Sequence, residues 1–130
     1  YDSQAVFANA TIYFDFDKAN IRPDAAIELD KIVKVMADYP GMVIELGSHT
    51  DCRGSDEYNL YLSDRRAKSS AAYIQERIDE SERIYGKGFG ETTPNIPSPD
   101  GCGTLSEDEH QLNRRTEFII VELGGANTRD

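Results

Sequence analysis

In the middle of the chain a short apolar run opens into a polar segment, Met42-Val43-Ile44-Glu45-Leu46-Gly47-Ser48-His49-Thr50-Asp51-Cys52-Arg53-Gly54. Residues 42–46 are rich in branched apolar side chains, which predicts a β-strand. From residue 47 small and polar side chains take over, which is typical of a loop at the carboxyl end of a strand. A helical repeat follows, with one apolar stripe formed by Ala67, Ala71, Ile74 and Ile78. The polar segment therefore lies at a strand-to-helix junction, where ligands collect in open α/β sheets.

The residues before this segment show the same order of a strand and a helix. Residues 11–16 are β-branched and aromatic, and a turn-forming stretch at residues 17–20 ends the predicted strand. Pro23 suits the first position of a helix, and residues 39–41 end it. The apolar stripe of this helix consists of Ala25, Leu29, Ile32 and Met36.

The start of the second helix decides where its charged residues lie. Ser63 is a suitable N-cap, and Asp64 would then lie in the first turn. This prediction places Arg66 in the same turn, beside the polar segment. Exposed amides at such a helix start favour an anionic group.

The carboxyl-terminal part predicts two more strands, at residues 83–89 and 116–123, separated by a long loop at residues 91–111. Three of the five prolines lie in this loop, so we expect it to be functional or braced. Ser106 and Glu109 form the pattern of a capping box at a short helix. We predict a single α+β domain over residues 1–130, with its core at about 12–123 and a frayed tail at 124–130. One mixed sheet of about four strands is covered by two main helices.

Charge and length restrict the function. The 130 residues include 14 Lys plus Arg and 24 Asp plus Glu, a net charge of -10, which disfavours nucleic acid and anionic lipid as primary partners. No segment approaches the roughly 20 apolar residues of a spanning helix, so we do not expect the domain to be embedded in a membrane. The chain begins at Tyr1 without a charged and apolar leader, which indicates a piece of a longer protein.

The two cysteines, Cys52 and Cys102, both lie in loop sequence that contains Gly and Asp. A buried structural thiol more often lies in an apolar run. A disulfide is therefore favoured over two free thiols, and it would indicate an oxidising compartment. It would also brace the long loop.

The polar segment carries an ordered motif, which also extends into the second helix. The chain resembles the OmpA-like peptidoglycan-binding domain shared by outer-membrane OmpA proteins, the peptidoglycan-associated lipoprotein and the flagellar stator protein MotB. The residues that match with the spacing intact are His49-Thr50-Asp51, Gly54, Asn59, Leu62-Ser63 and Arg66-Ala67. Residues 13–17 and 113–115 match as well, so the resemblance covers about residues 12–123. Ser48 stands where Gly usually precedes the motif, and Cys52 directly after the aspartate is a second departure.

The resemblance implies a βαβαβ-type domain that binds the free end of diaminopimelate in the peptidoglycan stem peptide. By this resemblance Asp51 takes the ammonium group and Arg66 takes the carboxylate, while Asn59 supports the site. Its lining would include Asp17, Tyr58 and Arg115. The resemblance further implies a non-enzymatic anchor without cofactor or metal, in the periplasm of a Gram-negative bacterium, as part of an outer-membrane protein or lipoprotein.

Two other classes of function stay open. A peptidoglycan hydrolase or amidase would need a free Cys52 thiol with His49 or His110 as its base. A calcium-dependent protein-interaction module would use the acidic surface. Residues 15–20 imitate the first half of a calcium loop, but the central Gly and the distal Glu of such a loop are missing.

Overall fold

The computed structural model describes residues 12–15, 17–92 and 94–122. Four strands form one sheet with the order β1-β4-β2-β3. Strands β2 and β3 are parallel, whereas β4 runs antiparallel to both β1 and β2. The strands are β1 (Ile12–Tyr13), β2 (Val43–His49), β3 (Ile84–Gly90) and β4 (Arg115–Glu122). The predicted α+β fold with one mixed sheet is therefore confirmed.

Three helices accompany the sheet in the described part of the chain: α1 (Pro23–Asp38), α2 (Asp56–Gln75) and the short α3 (Glu107–Asn113). Pro23 occupies the start of α1, as its fixed backbone angle predicts. Ser106 and Glu109 form the expected capping box at the start of α3. Among the described residues, no helix combines the length and the apolar character needed to cross a membrane.

The core lies between the helices and one face of the sheet. The predicted stripe of α1 is buried there and packs with alternate side chains of the sheet, such as Ile44 and Leu46 of β2. On β4, Phe118 and Ile120 pack against this core, while Ile119 and Val121 between and beyond them are exposed. This alternation is what a strand covered on only one face requires.

Strand β2 is longer than its composition predicts, because it continues to His49. Ser48 pairs with Thr116 of β4, and His49 pairs with Gly90 of β3. A central strand has hydrogen-bonding partners on both sides, so its polar residues stay in the ladder. The hydroxyl groups of Ser48 and Thr116 are 2.5 Å apart and bond to each other inside the protein.

The predicted start of the second helix was wrong. Helix α2 begins at Asp56, and Ser55 is its N-cap, with the Ser55 side chain accepting a hydrogen bond from the Tyr58 amide. Ser63 is buried inside the helix, donates to the Leu60 carbonyl and accepts from the Gly90 amide. Arg66 therefore lies in the third turn and not at the exposed amides of the helix start. Ile78 lies beyond the end of this helix.

Helix α2 lies directly on β3, and glycines make this close approach feasible. A Cβ atom on Gly86 would come within 2.6 Å of the Ala67 carbonyl carbon, and one on Gly88 would overlap with Ser63. A helix seated this closely holds its inward side chains in fixed positions relative to the strand ends. Arg66 is one of these side chains.

The disulfide between Cys52 and Cys102 is present, which confirms the prediction. It joins the loop after β2 to the turn at Cys102–Thr104, across a sequence separation of 50 residues. The long loop is thus covalently braced next to Asp51. At the ends of the predicted elements, Thr11, Phe16 and residues 123–130 lie outside the described part of the chain.

Candidate ligand-binding site

A cavity of about 170 Å³ opens at the carboxyl end of β2. It brings together five of the six predicted binding residues. The residues that line it are Asp17, Thr50, Asp51, Arg53, Gly54, Tyr58, Asn59, Leu62 and Arg66. The loop after β2 supplies one wall and the first three turns of α2 supply another, so the site is built at the predicted strand-to-helix junction.

The Asp51 carboxylate is 4% exposed and is held by two arginines. Its Oδ2 accepts from Arg53 at 2.8 Å and from Arg114 at 3.0 Å, and its Oδ1 accepts from the Arg53 amide at 3.0 Å. Burial by itself would raise the pKa of Asp51, but the hydrogen bonds from Arg53 and Arg114 outweigh it and keep the pKa below its usual value. Asp51 is therefore ionised at neutral pH.

Glu107 at the start of α3 connects the two arginines from outside. It accepts from Arg53 at 3.1 Å and from Arg114 at 2.7 Å. The hydrogen bond from Arg114 is the main cause that lowers the pKa of the Glu107 carboxyl. The two carboxylates and two guanidinium groups thus form one charge network with Asp51 at its buried end.

The Arg66 guanidinium is fully buried and is held by neutral groups. It donates to the carbonyls of Lys18 at 2.7 Å, Asp15 at 3.0 Å and His49 at 3.3 Å. Burial, with repulsion from Arg114 as the next cause, lowers the pKa of Arg66 to about 10, so the group is still cationic at neutral pH. These three bonds use the single N–H of Nε and one of the two N–H groups on each terminal nitrogen. Each terminal nitrogen therefore keeps one further N–H.

Three further predicted residues complete the cavity. The Asn59 side chain donates to the Asp51 carbonyl at 3.4 Å and to the Glu91 carboxylate at 2.5 Å. Tyr58 donates its hydroxyl to Asp17, and this bond raises the pKa of Tyr58. Asp17 has a φ of 62°, in the left-handed region that non-glycine residues rarely adopt. Strained backbone of this kind occurs often at binding sites.

Arg115, the sixth predicted residue, is not among the residues that line the cavity. Its side chain donates to Glu117 at 3.0 Å and to the Asn113 carbonyl at 3.2 Å. Its neighbour Arg114 is the arginine that reaches Asp51. Adjacent residues at the start of a strand point to opposite sides, and the sequence does not say which of two arginines faces the site.

Sequence reasoning also missed Thr50 and Arg53. Thr50 belongs to the matched motif, and its Oγ1 is buried in the cavity lining without a hydrogen-bond partner in the described part of the chain. Arg53 precedes Gly54, which has a φ of 93°, and both its amide and its guanidinium donate to Asp51. A basic residue two positions after the aspartate of the motif was the available signal.

Charge in the cavity differs from charge on the whole chain. Two carboxylates, from Asp17 and Asp51, and two guanidinium groups, from Arg53 and Arg66, line it, although the chain carries a net charge of -10. Such a balanced lining favours a ligand that itself carries both signs of charge. Thr50 Oγ1, which has no hydrogen-bond partner among the described residues, is one more polar group in this lining.

His49, at the end of β2, does not line the cavity, but its backbone carbonyl accepts a hydrogen bond from Arg66. Its ring stacks on Phe89 with centroids 5.3 Å apart, and its Nε2 lies 3.6 Å from the Glu117 carboxylate. Burial, together with the nearby Arg115, lowers the pKa of His49 to about 4 against the opposing effect of Glu117. His49 is therefore neutral at pH 7 and has a structural role. Cys52 lies in the disulfide and is not a free thiol.

Comparison with known proteins gives consistent results. The OmpA family model matches residues 13–101. The peptidoglycan-associated lipoprotein of Rhizobium meliloti is 37% identical over 117 residues, which is 90% of this chain and 61% of that protein. The photosystem I P700 chlorophyll a apoprotein A2 of Gloeobacter violaceus is 39% identical over 109 residues, 84% of this chain but 12% of that protein. This chain therefore spans less than two thirds of either relative.

A solved structure gives the same fold. The peptidoglycan-associated lipoprotein from Burkholderia pseudomallei superposes with a TM-score of 0.76 at 23% identity, over 88% of this chain and 92% of that one. At this identity the likeness establishes the fold. The family model covers more than half of the chain, including β2, α2 and β3 with the cavity between them. On these grounds, the chain belongs to the OmpA family.

Proposed function

We propose that this chain binds the stem peptide of peptidoglycan without covalent chemistry and anchors the protein that carries it to the cell wall. The observation that carries the proposal is the cavity in which buried Asp51 and buried Arg66 present opposite charges. A relative named for its association with peptidoglycan, at 37% identity, supports this polymer as the ligand.

The ligand group that fits these contacts is the free amino-acid end of diaminopimelate. A carboxylate can accept two parallel bonds from the two N–H groups that Arg66 keeps. An ammonium can donate to Asp51 Oδ1, because the three bonds to the Asp51 carboxylate leave about one of its four acceptor positions unused. Charge-assisted bonds contribute about 1.5 to 3 kcal/mol each, which is the range of reversible attachment.

The disulfide supports a proposal for the compartment in which the chain works. A disulfide beside the site persists in an oxidising environment such as the periplasm. We therefore place the chain in the periplasm of a Gram-negative bacterium, as a domain of an outer-membrane protein or lipoprotein.

Binding to purified sacculi tests the proposal. The wild-type chain is expected to co-sediment with sacculi and to leave no soluble muropeptides behind. Arg66→Lys is expected to lose most of this binding because an ammonium cannot offer two parallel bonds. Arg65→Ala is the matched control, since Arg65 is the exposed neighbour on the same helix. Equal sedimentation of wild type and Arg66→Lys would contradict the proposal, and released muropeptides would establish a hydrolase instead.

Three small ligands test the roles of Asp51 and Arg66 separately. Diaminopimelate carries both, pimelate keeps only the two carboxylates, and 1,5-diaminopentane keeps only the two ammonium groups. Titration calorimetry is expected to show binding of diaminopimelate and at least a tenfold weaker response to the other two, because each lacks one charge-assisted pair. Equal binding of pimelate would refute the role of Asp51. Binding that disappears with a calcium chelator would favour the calcium-dependent module.

A further inference from the structure

Cys52, Cys102 and His110 form a cluster of metal-ligating side chains that does not line the cavity. A ring nitrogen of His110 and the two Sγ atoms all lie within 4.8 Å of one another. His110 is 5% exposed, and its Nδ1 is buried without a hydrogen-bond partner in the described part of the chain. A buried polar atom without a partner costs free energy. The packing of the described residues therefore gives no reason for a histidine at this buried position.

We propose that, once the Cys52–Cys102 disulfide is reduced, the two thiolates and His110 bind one Zn²⁺ ion. Thiolate sulfur and neutral imidazole are the ligands that Zn²⁺ prefers, at about 2.3 Å and 2.0 to 2.1 Å. Ligand atoms around a tetrahedral ion with these bond lengths are roughly 3.5 to 4 Å apart, so the two sulfurs must move apart once the disulfide is broken. Three protein ligands leave the fourth position to water. Calcium and magnesium are disfavoured because they require oxygen ligands.

The reduction needs a dithiol as electron donor. One thiolate of the donor attacks a sulfur of the disulfide, the S–S bond breaks, and a mixed disulfide forms. The second thiol of the donor then displaces the other cysteine. Two electrons pass to the chain, the donor becomes a disulfide, and its two protons end on Cys52 and Cys102. Binding of Zn²⁺ then releases these two protons to solvent.

The surroundings of Cys102 allow the sulfurs to separate. Both cysteines are partly exposed, so a small dithiol can reach them. Cys102 lies between Gly101 and Gly103, and a Cβ atom built on either glycine would meet no other atom within 4 Å. Open space on both sides lets this turn shift without displacing the core. His110 lies on α3 and has its backbone fixed by the helix, so the cysteines are the ligands that move.

Cobalt binding tests the site, because Co²⁺ replaces Zn²⁺ and reports its ligands by absorption. The whole chain is reduced with dithiothreitol, desalted without oxygen and titrated with Co²⁺. We expect one ion per chain, with thiolate-to-cobalt charge-transfer absorption and the visible bands of a tetrahedral site. The oxidised chain, treated in the same way, is expected to show neither. Competition with Zn²⁺ should then bleach the visible bands.

His110→Gln is the decisive variant, and His49→Gln, which changes the other histidine of the chain, is its matched control. Loss of the imidazole ligand should weaken Co²⁺ binding by about tenfold or more, since even indirect partners of a metal ligand affect affinity by 10 to 100-fold. His49→Gln should bind as the wild type does. Circular dichroism of each reduced sample records whether it is folded.

Two results would overturn the proposal. One is a reduced wild-type chain without thiolate-to-cobalt absorption. The other is equal Co²⁺ affinity of wild type and His110→Gln, which would mean that two cysteines bind the ion without the histidine. If circular dichroism shows that reduction unfolds the chain, equal affinity still overturns the proposal, because an unfolded chain gives His110 no fixed position beside the thiolates.

Discussion

Asp51 and Arg66 line the same cavity, but the protein holds them in opposite ways. Asp51 is bonded to two guanidinium groups, so much of its charge is already compensated. Arg66 is bonded to three backbone carbonyls, which carry no net charge. A ligand ammonium must therefore compete with two cations at Asp51, whereas a ligand carboxylate meets at Arg66 a charge whose hydrogen bonds go to carbonyls and not to a carboxylate. The comparison indicates that the carboxylate end of the ligand supplies more of the affinity.

The largest effect is expected from Arg66→Ala. Removal of this buried side chain leaves three carbonyls without their donor and opens a void, which should lower the free energy of unfolding by about 3 to 5 kcal/mol. Ligand affinity should fall by about 2 to 5 kcal/mol, the scale for removal of one partner of a buried charged pair. Urea unfolding followed by circular dichroism gives the first value, and titration calorimetry with diaminopimelate gives the second.

Because Arg66→Ala is expected to change stability as well as affinity, a variant that keeps the positive charge is needed to separate the two effects. Arg66→Lys is such a variant, because it keeps the positive charge and loses the planar guanidinium that can donate two parallel bonds. If Arg66→Lys bound diaminopimelate as the wild type does, the two parallel bonds proposed for Arg66 would be refuted, and so would the ranking of the two charges.

Asp51→Asn should have a smaller effect than Arg66→Ala. The amide keeps the shape of the side chain, but Arg53 and Arg114 lose the buried one of their two shared counter-charges, and only Glu107 remains. We expect the free energy of unfolding to fall by about 1 to 3 kcal/mol and diaminopimelate affinity to fall about tenfold. Asp100→Asn, in the exposed loop, is the control for the change of charge. A greater loss of affinity for Asp51→Asn than for Arg66→Lys would reverse the ranking of the two charges.

The pH dependence of the free energy of unfolding separates the contribution of His49 from that of Asp51. The pKa of His49 is lowered from 6.5 in the unfolded chain to about 4 in the folded protein. The unfolded chain therefore takes up a proton as the pH falls from 6.5 to 4, and the folded protein does not, so stability is lost in this window. We expect a loss of about 1 to 3 kcal/mol after allowance for solvent screening.

Asp51 acts in the same direction at lower pH, because its folded-state pKa is depressed, and its contribution is lost as the pH falls through that pKa. Urea unfolding at pH 7, 5 and 4 measures the effect of His49. His49→Gln should remove the loss between pH 6.5 and 4, and Asp51→Asn should not. An unchanged slope in His49→Gln would assign this window to another group.

Glu107→Gln should have the smallest effect. Glu107 is exposed, and exposed ion pairs contribute little. Without its charge, however, Arg53 and Arg114 interact with Asp51 alone and compensate it more fully. Diaminopimelate affinity should fall by no more than about a few-fold, as measured by calorimetry at low salt. Asp108→Asn, the exposed neighbour, should not change it. A larger loss would mean that Glu107 contacts the ligand directly.

Much of the fold followed from local patterns. The stripe of α1, the capping box at Ser106 and the strands on either side of the long loop were predicted to within one or two residues. These features depend on neighbours in sequence and on burial of one face. The start of α2 was predicted eight residues too late, because Ser63 and Ser55 are equally good N-caps by composition. Only packing against Gly88 and Gly90 shows that Ser63 is inside the helix.

Five of the six residues predicted for the site line the cavity, but the way in which they are bonded was not predictable. Spacing along the motif brought Asp51, Asn59 and Arg66 to one cavity, and the structure places them there. The roles of Arg114 and Arg115 depend on which of two adjacent side chains turns inward at the start of β4, and no local signal distinguishes them. The contact of Arg114 with Asp51 spans 63 positions in sequence.

By itself, the sequence determined the α+β class, the strand-to-helix junction and the opposite charges at Asp51 and Arg66, because periodicity and spacing are local properties of the chain. Only the tertiary structure decided how those charges are held. The carbonyls that bind Arg66 come from two segments, around residues 15–18 and at residue 49, and the second arginine at Asp51 comes from the end of α3. Such partners meet only when the folded core closes the distances between them. The pairing of His110 with the two cysteines arises in the same way.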